Sequence, residues 1–360
     1  MNAVDGSNHY EIKDKSQTYH PIDPSLSLLV IVLDTNPQAW TFLSTSLSLT
    51  NAVKNILIFI NAHLAINNAN QVAVVASHCH RPVWLYPRPP SESEETKIRD
   101  APPPNLDTTK KFRPFALVES SILTSLRELI NKTTEEDISS TNTTQMAGAL
   151  TLALSFINKA STNFYGTSSE VESGLAISDT TEKPMGLQSR ILVVSVSGDL
   201  AHQYIPIMNI TFAAQRLKVP IDICKLAGDT VFLQQASDAT KGIYMHLRSP
   251  QGFLQYLMMA FLPDLASRKH LVVPTQETID FRAACFCHRK VVDIGFVCSV
   301  CLSIFCSPPE GAVCLICSTH LAIGNYGSKP AVIPRKKRKR KPINGVAEYN
   351  TSKKVPNLDA

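Results

Sequence analysis

What the chain lacks narrows its function before any motif is read. No apolar run approaches the ~20 residues of a bilayer span, so no membrane segment is expected. Residues 1–24 are polar and contain no stretch of signal-peptide character. A reducing compartment is therefore expected, and the sequons at Asn131, Asn142, Asn209 and Asn350 are read as chance matches. The signatures GxxxxGK followed by Ser or Thr, GxSxG and HExxH are all missing, so no catalytic set and no small-molecule substrate are expected. Positive charge is scarce outside one place. The net charge is +5, and residues 335–341 alone carry seven consecutive positive charges, which leaves 5 − 7 = −2 for the rest. The body of the chain thus offers no broad basic face for nucleic acid.

What is present suits a globular body. The chain has 360 residues, 44% hydrophobic and 18% charged, enough for one large core with a small appended module. Leu26–Leu33 is an unbroken apolar run ending at Asp34, the pattern of a strand buried on both faces. Thr50 is a candidate cap for a helix whose stripe is Val53, Ile56, Leu57, Ile60 and Leu64. Strands follow at Gln71–Ser77 and Val83–Tyr86. Their short link excludes a parallel crossover, so an antiparallel hairpin at a sheet edge is expected. Residues 87–111 read as a solvated loop. Two helices carry Leu117, Ile122, Leu126 and Leu129, then Met146, Leu150, Ala153, Leu154 and Ile157. A polar insertion, 161–186, precedes a central strand at Ile191–Val196. Beyond it, helix (Ile207–Leu217), strand (Val219–Leu226), helix (Val231–Ala239), strand (Gly242–Leu247) and helix (Phe253–Leu262) alternate. This order predicts an α/β fold, a three-layer sandwich with a mostly parallel six-stranded sheet and no internal repeat.

Ligands of open α/β sheets bind beyond the carboxyl ends of the strands. Here those ends supply Asp34-Thr35-Asn36-Pro37-Gln38, the run Thr141–Thr144, and Ser197-Gly198-Asp199. Asp34 and Asp199 are read as loop-orienting residues. His78, His80 and His202 look isolated, and Cys79 and Cys224 read as small core thiols.

The strongest signal lies near the C-terminus, with Cys285, Cys287 and His288, then Cys298 and Cys301, then Cys306, then Cys314 and Cys317. A CxxC turn lets two thiolates reach one metal ion, and two such turns complete a tetrahedral Zn²⁺ shell. Cys298, Cys301, Cys314 and Cys317 are the first expected zinc site. In an interleaved arrangement, Cys285, Cys306 and one or both of Cys287 and His288 form a candidate second site. So short a unit needs metal to fold. Its many apolar residues, among them Phe286, Val291, Ile294, Phe296, Val297 and Leu302, suggest a face that docks on the main domain or on a partner.

The stretches LLVIVLDTNPQAW (Leu28–Trp40), FLQQASDATKGIY (Phe232–Tyr244) and DFRAACFCHRKVVDIGFVCSVCLSIFC (Asp280–Cys306) resemble the von Willebrand A-like, zinc-finger-bearing small subunit of the core of general transcription and repair factor TFIIH. The likeness runs from about Leu26 to Cys317. It implies a von Willebrand A-like domain over 25–268 between a polar arm (1–24) and a zinc-binding module (280–320), with a disordered basic tail over 327–360. Von Willebrand A-like domains often hold Mg²⁺ through Asp-x-Ser-x-Ser, a Thr and a second Asp. In this chain Asn36 and Gln38 stand at the Ser positions around Pro37, and Asp199 follows the Gly instead of preceding it, so no Mg²⁺ is expected. The resemblance further implies a four-cysteine finger at Cys298, Cys301, Cys314 and Cys317 and a non-enzymatic role. The expected partners are other TFIIH core subunits, chiefly the one with von Willebrand A-like and RING-like domains. The process served would be transcription initiation by RNA polymerase II and nucleotide excision repair. The run at 335–341 independently has the form of a nuclear import signal. Two alternatives stay open: a RING-like ubiquitin ligase, which the lone Cys306 weakens, and a zinc-dependent DNA-binding module, which the few basic residues (Arg289, Lys290, His288) disfavour.

Overall fold

The computed structural model describes residues 26–88, 113–140, 143–172, 187–198, 200–274 and 278–321. The segment 89–112, Thr141, Asn142, residues 173–186, Asp199 and the tail with its basic run lie outside the described residues.

Strand β1 (Ser27–Asp34) is buried at all eight positions. It pairs in parallel with β2 (Gln71–Ser77) on one side and β4 (Gln188–Ser195) on the other. The sheet continues through β5 (Ile221–Lys225) to β6 (Tyr244–His246), both parallel, and ends on the other edge in β3 (Pro82–Tyr86). The order is β3-β2-β1-β4-β5-β6, with β3 the sole antiparallel strand of this sheet. The expected mostly parallel six-stranded sheet with an antiparallel edge hairpin is what forms.

Period-two alternation sends neighbouring side chains of β1 into two different cores. Leu29, Ile31 and Leu33 face helices α1 (Pro37–Leu43), α2 (Leu49–Ile66), α3 (Arg113–Asn131) and α8 (Phe253–Tyr256). Leu28, Val30 and Val32 face α5 (Met146–Glu172), α6 (Tyr204–Leu217) and α7 (Val231–Ala239). With both faces covered, the strands need no polar side, which is why they read as continuous apolar runs.

Several local expectations are corrected. The cap of α2 is Ser48, whose side chain accepts from the Asn51 amide at 3.3 Å; Thr50 lies inside the first turn. Although α2 is long and apolar enough to cross a membrane by length and composition, Val53, Ile56, Leu57, Phe59 and Ile60 bury it as a core helix. On α3 the inward stripe uses Val118, and Leu117 is exposed. Helix α5 runs on to Glu172, through the first part of the segment read as an insertion. Two short helices, α1 and α4 (Glu135–Ser140), had no distinct sequence signal. The last apolar helix is one α turn followed by a π turn at Leu257–Phe261.

The chain beyond the π turn is tied back to the sheet. Arg190 donates to the carbonyls of Pro263 at 2.6 Å and Leu262 at 3.2 Å, and Arg268 pairs with both oxygens of Asp222 at 2.9 and 2.6 Å. The module then begins with two small antiparallel hairpins. These are β7 (Ala283–Ala284) with β8 (Val291–Val292), and β9 (Phe296–Val297) with β10 (Ile304–Phe305).

Candidate metal centre and its seat on the sheet domain

Three loops of the module share one backbone design. Each starts at a cysteine: Cys285, Cys298 or Cys314. The amide of this first residue donates to the carbonyl of the sixth (Lys290, Ser303, Thr319) at 2.9–3.0 Å. The amide of the fifth donates back to the first carbonyl at 2.9–3.0 Å. The fifth residue is left-handed each time: Arg289 (φ 55°), Leu302 (φ 61°) and Ser318 (φ 57°). Positions one and four then point to one centre, the geometry of a metal-holding knuckle. Position four is Cys301 in the second loop, Cys317 in the third and His288 in the first. His288 therefore stands at the knuckle position, and Cys287 at the intervening place that Val300 and Ile316 fill elsewhere.

The eight candidate ligands gather into two groups of four. Cys298, Cys301, Cys314 and Cys317 offer sulfurs within 4.8 Å of one another, and so do the donor atoms of Cys285, Cys287, His288 and Cys306. Along the chain the two groups interleave. In the first group Cys298 and Cys317 are 3.7 Å apart and Cys301 and Cys314 are 3.5 Å apart. In the second, Cys306 Sγ is 3.5 Å from Cys287 Sγ and 3.2 Å from His288 Nδ1. A tetrahedron with ~2.3 Å metal–sulfur bonds has edges of about 3.8 Å, so the cysteine spacings fit such an ion closely. The second group needs Cys287 because the chain after Cys306 runs Ser-Pro-Pro and offers no ligand at Pro309. Thiolate character is favoured at Cys317 and Cys301, while the Cys287 and Cys314 thiols are raised. The Thr319 hydroxyl, then its backbone, lower the Cys317 thiol to about 6, and the Ser303 hydroxyl and backbone hold Cys301 below the usual thiol range.

The module sits on the α6–α7 side of the sheet domain. Ala284 is buried in that core with Val291 packed against it. The ring of Phe286, between two ligands, meets Tyr204 edge-on at 6.5 Å, and Tyr204 in turn lies 4.8 Å from Phe232 of α7. Gln235 donates to the carbonyls of Asp280 at 2.7 Å and Arg282 at 2.9 Å, while Gln234 accepts the Asp280 amide at 3.2 Å. Neither glutamine carries a sequence signal of its own; both are buried within α7. The opposite side of the module presents Val297, Val300, Leu302, Leu315 and Ile316 to solvent.

At the carboxyl edge of the sheet the oxygens that would coordinate a cation are already committed. Asp34 accepts the amides of Asn36 (3.1 Å), Val196 (3.1 Å) and Ser197 (2.7 Å). Asn36 caps α1 through the Gln38 amide, and Thr144 bonds Ser77. Gln38 lies within α1 and donates to the Ile138 carbonyl. A fully buried cation is present as well: Lys225 donates to Ser195 Oγ at 3.0 Å and to the Ser197 carbonyl. Burial lowers this ammonium to about 8, against the attraction of Asp34 and Asp229. Such a donor set does not fit the near-octahedral demands of Mg²⁺. Nor are the histidines nearby isolated. His78 is buried between Thr35 and Thr133, its ring 5.5 Å from that of His80, and His202 bonds Thr143 and Gln203. Cys79 and Cys224 are both buried, as expected for core thiols.

Comparison with known proteins agrees with this architecture. The family model described as transcription factor Tfb4 matches residues 26–318. The general transcription and DNA repair factor IIH subunit tfb4 of Schizosaccharomyces pombe is 42% identical over 303 residues, 84% of this chain and 91% of that protein. Its counterpart in Saccharomyces cerevisiae is 32% identical over 359 residues, covering 95% and 99%. The crystal structure of the TFIIH p34 N-terminal domain aligns with 65% of this chain and 97% of its own, at 42% identity and a TM-score of 0.52. With a family model spanning both the sheet domain and the cysteine loops, and relatives matched over nearly their whole length, the chain belongs to the Tfb4 family of TFIIH subunits.

Proposed function

We propose that this chain is a non-catalytic structural subunit of the TFIIH core that carries zinc in both four-ligand groups. It would serve RNA polymerase II initiation and nucleotide excision repair in the nucleus. The observation that carries the reading is the pair of interleaved ligand groups seated on the sheet domain. Cys298, Cys301, Cys314 and Cys317 would hold one ion, and Cys285, Cys287, His288 and Cys306 the other. Zinc there supplies a cross-link and charge neutralisation, and with four protein donors per group no position stays open for a reacting water.

The chain's own residues do the rest. The knuckle backbones aim the donors, and the hydroxyls of Ser303 and Thr319 lie against the sulfurs of Cys301 and Cys317 at 3.1 and 3.3 Å. The exposed side chains of Val297, Val300, Leu302, Leu315 and Ile316 support contact with a protein surface, and the sparse basic residues of the module give little support to direct DNA binding. The partner favoured is the TFIIH core subunit with von Willebrand A-like and RING-like domains. Coexpression of the full-length chain with the core subunits, followed by affinity purification, tests the assignment. The wild type is expected to recover that subunit stoichiometrically and Cys298→Ser to recover at least tenfold less. Equal recovery by the variant would remove the metal group from the assembly role. The interleaved order of the two groups favours a second reading, a RING-like ubiquitin ligase. A zinc-dependent autoubiquitination product would establish it, and none is expected.

A further inference from the structure

The two ligand groups are not equivalent in their surroundings. The first group is flanked by exposed apolar residues: Val300 and Leu302 on one knuckle, Leu315 and Ile316 on the other. The second is built on the loop from Cys285 to Lys290, whose first two residues lie against the sheet domain while His288, Arg289 and Lys290 are exposed. Its lead-in, Asp280–Ala284, is gripped by Gln234 and Gln235. Cys285 and Ala284 are nearly inaccessible, and Phe286 is the ring that reaches Tyr204.

The contacts then continue inside the sheet domain. Tyr204 opens α6 and packs on Phe232 of α7. Gln234 also donates to Asp229 at 2.6 Å, and Asp229 accepts the hydroxyl of Tyr244 on the edge strand β6. An unbroken set of contacts therefore joins the second ligand group to the outer helices and the edge strand. Bound through three cysteines and His288, the Cys285 loop has one conformation. Without metal, the loop keeps three backbone hydrogen bonds, the third from the Phe286 amide to the Ile304 carbonyl at 2.7 Å, with a two-residue hairpin and the Phe286–Tyr204 contact.

We propose that the second ligand group works as a coupling device: its occupancy clamps the Cys285 loop on α6 and α7 and so sets the order of that face of the sheet domain. Gln235 is the positioning residue that transmits it. The proposal rests on the reading that this group holds zinc. It gives the second ion a task distinct from folding the module, since the ion governs a surface more than one element away from its ligands.

The test is hydrogen–deuterium exchange on the full-length protein, with metal content measured on the same samples. Two variants are used. Cys306→Ser removes a ligand whose hydrogen-bond partners among the described residues, Cys287, His288 and Ser307, all belong to the module. Gln235→Leu keeps all eight ligands and cuts the grip on Asp280 and Arg282. Cys306→Ser is expected to lose one zinc equivalent, and protection of amides in 204–217 and 231–246 is expected to fall at least tenfold while β1 and β4 stay protected. Gln235→Leu is expected to keep both zinc equivalents and show the same loss over 231–246. Loss of one equivalent with unchanged protection of both segments overturns the coupling and leaves the zinc assignment intact. Full zinc content in Cys306→Ser overturns the assignment of the second group, and the coupling with it. Unchanged protection in Gln235→Leu removes that residue as transmitter.

Discussion

His63 is buried in α2 beside Arg190, and burial, helped by that guanidinium, lowers its pKa from 6.5 to about 4. Because the folded pKa lies below the unfolded one, the unfolded chain binds the extra proton first as the solution is acidified. The stabilisation is complete above pH 6.5 and is lost as the pH falls towards 4, with a size on the order of 2 kcal/mol for such a partly screened group. Urea midpoints of the wild type and of His63→Leu, followed from pH 7 to pH 4, check this. The wild type should lose more stability than the variant across that window, and parallel curves would contradict the account. The residue scale is also where sequence reading reached its limit. The pairs Cys298/Cys301 and Cys314/Cys317 were legible because a CxxC turn is local. The places of Cys287 and His288 were not, because they depend on the left-handed Arg289, and nothing in its identity announces that conformation. Lys225 was read as part of an apolar strand, and its charge is accommodated by hydroxyl and carbonyl groups from other elements.

At the scale of elements, the strands were readable because burial on both faces leaves runs with no polar interruption, as in Leu28–Leu33. Helix ends were less so. Ser48 and Thr50 are both acceptable caps, and tertiary placement chooses the first. Helix α1 is seven residues set by Pro37 and anchored by Trp40, whose indole donates to the Asp34 carbonyl at 2.8 Å; about two turns of helix carry little periodic signal. Between α7 and β6 the decisive residue is Gly242. A methyl group there would meet the Ile221 carbonyl oxygen at 2.0 Å, so backbone must move to admit it. Gly242→Ala is expected to destabilise by about 1–3 kcal/mol through this overpacking. A thermal or denaturant midpoint measures it, and a variant as stable as the wild type would show that β5 and β6 separate without cost.

At the scale of the whole molecule, the fold class and the eight ligands followed from pattern, while the seat of the module did not. It depends on Gln234 and Gln235, two buried amides of α7, meeting a backbone stretch some 45 residues downstream. Long-range pairing of this kind leaves no periodicity for a sequence to show. The seat joins the sheet domain to the cysteine loops, with one ligand group beside the seat and the other flanked by exposed apolar side chains. The central claim is that both groups hold zinc, and native mass spectrometry of the full-length protein, purified without chelator, tests it most directly. The account predicts two zinc ions per chain, neither displaced by Mg²⁺. A folded protein that carries none, or one ion that Mg²⁺ displaces, would contradict it.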